Sequence, residues 1–322
     1  MRLKLVPDET HFNFLGSWRI TAGFSAVLVV LSIVAFLTMG LNFGIDFRGG
    51  TSVRTEATEP VDIGAYRDAI TPLGLGDVAI SEVFDPTYGP DENVALIRIQ
   101  APEDGESIAP SVLDEVEQAL QDYDPSLEFT SVESVGPKVS GELVQSALLA
   151  VAAALAAILF YIWLRFEWQF GIGALTALVH DVVLTIGLFS VLQIRFDLPI
   201  IAALLTIVGY SINDTVVVFD RMRENLIKYK KRELNDVMNL SLNETLSRTI
   251  LTSLTTLLAL GSLFVLGGDV IRGFVFAMIW GVVVGTWSSV FVAAVTVKRL
   301  GVKRDWSKGD GEKGGTQFAT DT

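Results

Sequence analysis

Residues 20–41 read ITAGFSAVLVVLSIVAFLTMGL, 22 positions without a charged side chain, directly after Arg19. A helix of that length reaches across the ~30 Å hydrocarbon core of a bilayer. A signal peptide has a shorter apolar core, about 7–15 residues, and a small-residue cleavage site. This run is longer and continues into Asn42-Phe43-Gly44 with no such site, so it reads as a retained first membrane span, TM1. Five further apolar stretches follow, at 142–164, 168–194, 198–219, 249–267 and 273–297. Each satisfies the same length requirement. Six spans return both termini to one side.

The composition agrees. Half of the 322 residues are hydrophobic and 19% are charged, which excludes a disordered chain, and the long uncharged runs exclude an ordinary soluble one. The chain has no cysteine, so disulfides, thiol catalysis and cysteine metal sites are excluded. Its two histidines, His11 and His180, leave little for zinc, and no metal or cofactor is expected. The net charge of −13 is concentrated, because residues 42–141 carry 20 acidic side chains against 5 basic ones. An acidic, water-facing domain is inserted between the first two spans.

Lysine and arginine in the short connections set the orientation. Segments 1–19, 165–167, 220–248 and 298–322 hold 3, 1, 7 and 6 of them, whereas the loops at Arg195 and Arg272 hold one each. Both termini and the loop 220–248 are therefore expected in the cytoplasm, with 298–322 as a cytoplasmic tail, polar and disordered from Lys303 onward. The block 42–141 is expected outside, in the periplasm of a Gram-negative cell. Within it the pattern alternates between strand and helix. Thr51 to Ala57 reads as a strand, Val61 to Leu73 as a helix closed by Gly74, and Val78 to Phe84 and Val94 to Ala101 as strands about the turn Asp85–Pro90. Ser107 to Leu120 presents Ile108, Val112, Leu113, Val116 and Leu120 on one helical face, and Leu127 to Val135 closes the set as a strand. The expected fold is a polytopic α-helical membrane protein with six transmembrane helices and one extracytoplasmic α+β domain of ferredoxin-like βαββαβ order. No carboxylate pair or nucleophile–base set stands out in that domain, so its work is binding or mechanical.

Ionisable side chains inside membrane spans are costly and point to function. Asp214 lies five residues before the fourth run ends, within Gly209-Tyr210-Ser211-Ile212-Asn213-Asp214-Thr215-Val216. His180 and Asp181 lie mid-way along the third span. Neighbours on a helix point about 100° apart, so both cannot face one partner squarely, and one of them is expected to face span four. Arg248 opens the fifth span, at a depth compatible with Asp214 on the adjacent antiparallel helix. It is either a snorkelling end-of-helix arginine or the cation that holds Asp214 ionised. Asp220 belongs to the alternating-charge run Phe219–Asn225, an end-of-span cap or a hinge and docking surface. Gly281 and Gly285, and the alanine-rich face from Ala147 to Ala157, are close-packing signals. No phosphate-binding G-x-x-x-x-G-K-[ST] loop is present, so ATP is not the direct energy source.

Three stretches resemble signatures of the SecF family of protein-export membrane subunits. They are Gly44-Ile45-Asp46-Phe47-Arg48-Gly49-Gly50-Thr51 after the first span, Val135-Gly136-Pro137-Lys138-Val139-Ser140-Gly141-Glu142-Leu143 entering the second, and Ser211 to Asn225. With the six-span layout, the resemblance covers nearly the whole chain. It implies a SecD partner in a pseudo-symmetric twelve-span unit related to RND transporters. That unit works with the SecYEG channel, with SecA acting upstream, and uses the proton motive force to assist late translocation and release of unfolded secreted polypeptides. The resemblance also implies proton coupling at Asp214 and Arg248, and a separate-subunit form that needs SecD. Membrane lipid surrounds the chain and no nucleic-acid partner is expected. In any family, Gly44, Gly49 and Gly50 supply a permissive backbone where the chain turns from helix to strand. Asp46 and Arg48 share a face if that stretch is extended, where they could tie the domain base to the membrane or to a partner.

The leading alternative is half of an RND-type proton-coupled small-molecule exporter, which would carry larger outside domains and twice the spans. An intramembrane enzyme built on His180, Asp181 and Asp214 lacks a ligand motif such as H-E-x-x-H, and no enzymatic activity is expected.

Overall fold

The computed structural model describes residues 10–83, 85, 88–89, 92–101 and 108–302. In chain order its elements are α1 (Trp18–Met39), β1 (Asn42–Phe43), α2 (Ile45–Arg48), β2 (Gly50–Ala57), α3 (Ile63–Ile70), β3 (Val78–Val83), β4 (Asn93–Gln100), α4 (Pro110–Tyr123), β5 (Glu128–Val135), α5 (Pro137–Arg165), α6 (Trp168–Leu192), β6 (Arg195–Phe196), α7 (Leu198–Lys228), α8 (Leu234–Leu266), α9 (Gly268–Ser288) and α10 (Ala294–Leu300). A π-helical turn, Ser289–Ala293, joins α9 to α10 without a break in the helix. Parts of the Asp85–Pro90 turn, the ends at Phe84 and Ser107, and the tail from Lys303 lie outside the described residues.

Six helices are long and apolar enough to cross a membrane, and they follow the six apolar runs in order but not in extent. Helix α1 spans Trp18–Met39 rather than 20–41, α5 begins at Pro137 rather than 142, α6 stops at Leu192, and the last helix spans Val270–Leu300 rather than 273–297. The largest correction concerns 220–248. Read as a loop, it is helical apart from the turn at 229–233. The apolar run ends where charge begins, but helical hydrogen bonding does not, because these charges are paired. Arg221 donates through Nε to Glu244 Oε2 at 2.7 Å and through Nη1 to Glu224 at 2.7 Å, while Asn225 donates to Ser241 at 3.0 Å and to Glu244 at 2.6 Å. The run Phe219–Asn225 is thus the straight continuation of α7, latched to α8, and not a hinge.

Helices α6, α7 and α9–α10 form the centre of the bundle. About half of the most apolar stretch of α6 and of α9–α10 is buried, against 6% for α1 and α5. The Ala147–Ala157 face of α5, expected to pack closely, has no buried residue. Small residues permit close approach only where a partner helix is present, and none covers that face among the described residues. The glycine pair of the last span does pack closely. A Cβ at Gly281 would fall 2.3 Å from Ile207 Cγ1, and one at Gly285 would fall 3.0 Å from Ser211 Cβ. These are successive turns of α7, so the backbones of α7 and α9 touch along two turns.

Between α1 and α5 the elements run β2-α3-β3-β4-α4-β5, forming an antiparallel sheet of order β3-β4-β2-β5. Alternation explains its core. Val53 and Ala57 of β2 and Ala95, Ile97 and Ile99 of β4 point to one side, where Tyr66 and Ile70 of α3 and Val116 and Leu120 of α4 cover them. Asp62 caps α3 by accepting from the amides of Gly64 and Ala65, and Gly74 closes the following turn in the left-handed region. Helix α4 starts at Pro110, a favoured first helical residue, rather than at Ser107. The other face of the sheet, bearing Leu96 and Arg98, looks onto the helix ends of the bundle.

Candidate functional site

Two carboxylates lie inside the bundle, and one serine pair serves both. Asp181 of α6 is fully buried. Its Oδ2 accepts from Ser211 of α7 at 2.6 Å and from Ser288 of α9 at 2.8 Å, and its Oδ1 faces His180 Nδ1 at 2.9 Å. Asp181 is therefore the member of the His180–Asp181 pair that faces span four. His180 bends back to its neighbour instead of reaching another helix, and its Nε2 is buried without a partner among the described residues. Asp214 of α7 is half-buried. It accepts from Thr249 of α8 at 2.6 Å and from Ser289 at 2.7 Å. Ser288 and Ser289 are consecutive and stand where α9 passes into the π-helical turn. Neighbours about 100° apart on one helix thus reach carboxylates on two different helices. A π-turn interrupts the regular helical ladder, and such turns cluster at functional sites.

Arg248 does not pair with Asp214. Its side chain is exposed and makes no ion pair within 4.0 Å with any described residue. The partner that α8 offers is the next residue, Thr249, one helical step around. Asp220 pairs with Arg165 at 2.8 Å, both side chains over one-third exposed, and so fastens the end of α5 to α7 away from Asp214. Exposed pairs of this kind contribute about 0–1 kcal/mol. Among the described residues no group of three or more histidine or acidic side chains could hold a metal ion.

The first glycine-rich signature forms the joint between domain and bundle. β1 pairs in parallel with β6, Asn42 opposite Arg195 and Phe43 opposite Phe196, and the Gly44 amide extends the ladder to Phe196 O at 2.8 Å. Ile45–Arg48 is a helical turn, not an extended segment, so Asp46 and Arg48 part company. Asp46 Oδ2 accepts from the Leu198 amide at 3.0 Å and caps α7, the helix that carries Asp214. Arg48 lies over the Phe43 ring, 6.0 Å from its centroid. Gly49, at φ +72°, would place a Cβ 3.2 Å from Pro137 Cα, and Gly50, at φ +135°, would place one 2.5 Å from Ile99 O. Both conditions select glycine. Gly136 shows neither crowding nor positive φ; Pro137 matters through its contact with Gly49 and as the first residue of α5.

Residues 34–61 match the model of the SecD/SecF GG motif, and residues 115–303 match that of the protein export membrane protein SecD/SecF, C-terminal. A protein translocase subunit SecF from Cereibacter sphaeroides is 61% identical over 99% of this chain and 98% of its own length. The chain belongs to the SecF family. A Rhodobacter capsulatus SecF is 59% identical, covering 96% of the chain and 95% of its own length. The crystal structure of a translocon-associated SecDF from Thermus superposes with a TM-score of 0.82 at 35% identity. It covers 93% of this chain, which in turn spans 40% of the SecDF chain.

Several residues of this SecF-family site escape sequence reasoning. Ser211, Ser288, Ser289 and Thr249 hold the two carboxylates, yet serine and threonine are ordinary in apolar spans. The usable signal is Ser288-Ser289 itself, two consecutive hydroxyls deep in an apolar run, since hydroxyls there bond across helices.

Proposed function

We propose that the chain is an accessory subunit of the Sec protein translocase that works with a SecD partner and uses the proton motive force to promote late translocation and release of secreted polypeptides. SecYEG and the upstream motor SecA belong to the same proposal. Supporting it are the near full-length similarity to SecF proteins and the similarity to one part of a SecDF chain. In this reading the βαββαβ unit is a ferredoxin-like domain on the outer face of the inner membrane, and both termini are cytoplasmic.

One observation carries the coupling step. Asp214 is a half-buried carboxylate in an apolar helix, held among the described residues by hydroxyl donors alone, from α8 and from the π-turn. Hydroxyls can donate to an ionised carboxylate or turn to accept from a protonated one, so the site admits both forms. Arg248 lies one residue before Thr249, and a rotation of α8 by about 100° would exchange hydroxyl for guanidinium beside Asp214. We assign proton uptake to Asp214 and charge compensation to Arg248 in that rotated arrangement. His180, Asp181 and Asp220 take structural parts.

The test is export of a secreted reporter, with and without a proton gradient. Asp214→Asn should insert and assemble normally and abolish the gradient-dependent component, and retention of that component would refute the assignment. Arg248→Lys should be impaired, because a planar fork is lost; a silent Arg248→Lys would return the residue to an interfacial anchor. The absence of native cysteine permits a clean check of sidedness. Gln118→Cys should react with an impermeant maleimide from outside the cell, and Lys231→Cys should react only after permeabilisation.

A further inference from the structure

The joint between sheet and bundle encloses a cavity of about 490 Å³, within the ~300–1,000 Å³ range of ligand sites. Its wall on the sheet side carries Arg98, and its wall on the bundle side carries Arg195 and Arg272. Arg195 is engaged with Asp197 at 2.8 Å. Arg98 differs. No hydrogen bond or ion pair joins its guanidinium to another described residue, and its Nε is buried without a partner among them. Burial first, then the nearby charges of Arg195 and Arg48, lowers its pKa below the ordinary arginine value, with Asp197 opposing. Two smaller openings at the same joint, about 70 and 40 Å³, are also lined by Arg98. In a domain with 20 acidic side chains, this cation is half-buried and lies at the joint with the bundle.

The rest of the lining names the occupant. Phe264, Phe274 and Phe276 give the cavity an apolar floor, and Leu192 and Val270 line it while remaining 50% and 70% exposed. Those two lie at the ends of spans, where exposed apolar side chains meet lipid. The cavity therefore joins exposed apolar side chains at the span ends to a half-buried guanidinium whose Nε has no partner among the described residues. Glu82 and Asp197 also line it; their carboxylates oppose an anion, which is held only where it meets arginine directly.

We propose that this cavity binds the phosphate of an anionic phospholipid of the domain-side leaflet, with Arg98 as the principal ligand and the phenylalanine floor receiving the start of the acyl chains. Basic pockets beside membrane helices take anionic head groups in this way. The bound lipid fills the joint between the domain and α7.

The experiment uses the full-length chain in detergent with equimolar phosphatidylglycerol and phosphatidylcholine, reading retained lipid by native mass spectrometry. The wild type should retain phosphatidylglycerol over phosphatidylcholine by about fivefold, the weight of one arginine beside an anionic head group. Arg98→Gln should bring that ratio close to one, and Arg67→Gln, on an exposed position of α3, should leave it unchanged. Equal retention of the two lipids by the wild type would overturn the proposal without recourse to any variant. So would an undiminished ratio in a folded Arg98→Gln chain. A further arm adds inorganic phosphate. Phosphate retention that depends on Arg98 with no lipid preference would assign the site to free phosphate and overturn the lipid assignment.

Discussion

Asp181 and Asp214 are built from the same parts and end in different states. Each accepts a hydroxyl from the pair Ser288-Ser289 and one from another helix. Asp181 adds a third contact from His180 and is sealed, whereas Asp214 has two donors and remains half-buried. A carboxylate offers about four acceptor positions. The sealed one has three contacts and ties three helices together; the open one has capacity to spare and one side left uncovered. Burial and satisfaction, more than the presence of charge, set the two carboxylates apart, and the proposed proton carrier is the less buried and less satisfied one.

The strongest way to break this contrast is to remove the sealed carboxylate. Asp181→Ala leaves Ser211 and His180 Nδ1 without their acceptor and Ser288 with only the Gly285 carbonyl at 3.2 Å, and losing one partner of such a buried set costs about 3–5 kcal/mol. The purified chain should show a thermal midpoint lower by roughly 10 °C or fail to fold. Asp214→Asn, which keeps an acceptor oxygen for one of its two donors, should fall by far less. Equal destabilisation of the two variants would end the distinction.

Next in size is the contact that brings Ser211 under Asp181. Gly281→Leu drives a side chain into Ile207 and should separate α7 from α9 at a cost of about 1–3 kcal/mol, read as a lower midpoint with weakened export. Ser288→Ala and Ser289→Ala then divide the pair. The first should lower stability by about 1 kcal/mol with export retained. The second should leave stability nearly unchanged and shift the pH dependence of export. Interchanged results would assign the working carboxylate to α6.

The last test lies in the domain and is confined to alkaline pH. Burial, reinforced by Asp124 and Tyr123, raises the Tyr66 pKa from 10.0 to about 12. Above pH 10 the unfolded chain ionises this phenol while the folded one keeps its proton. Its contribution to stability is therefore complete below pH 10 and is lost as pH rises toward 12. A wild type minus Tyr66→Phe difference in ultraviolet titration should show a phenol ionising near 12. Ionisation near 10 would mean that the domain core is open.

The order of spans was legible because apolar runs of bilayer length have few other uses, and the domain's elements because strand alternation and the α4 face are periodic. Helix extent was not. Arg221, Glu224, Asn225 and Glu244 end an apolar run without ending a helix, since their pairing is a tertiary matter invisible along the chain. The Asp46–Arg48 face failed for a related reason. A single helical turn of four residues, Ile45–Arg48, carries no periodicity to detect. Asp214 announced itself through the cost of placing a carboxylate in an apolar run, but its donors did not. A threonine one step from Arg248 looks like any other threonine until helix rotation is known.

The cap that Asp46 places on Leu198 has a mechanical corollary. From Leu198 to Asp214 is sixteen residues of unbroken helix, about 24 Å at 1.5 Å per residue. Axially such a rod is stiff, and its Leu198 end is fastened to the domain base by a side chain and a two-residue ladder. A force on the domain would therefore reach the carboxylate as displacement, without intervening loops to absorb it. In the proposed role, protonation of Asp214 would send a stroke back along the same rod.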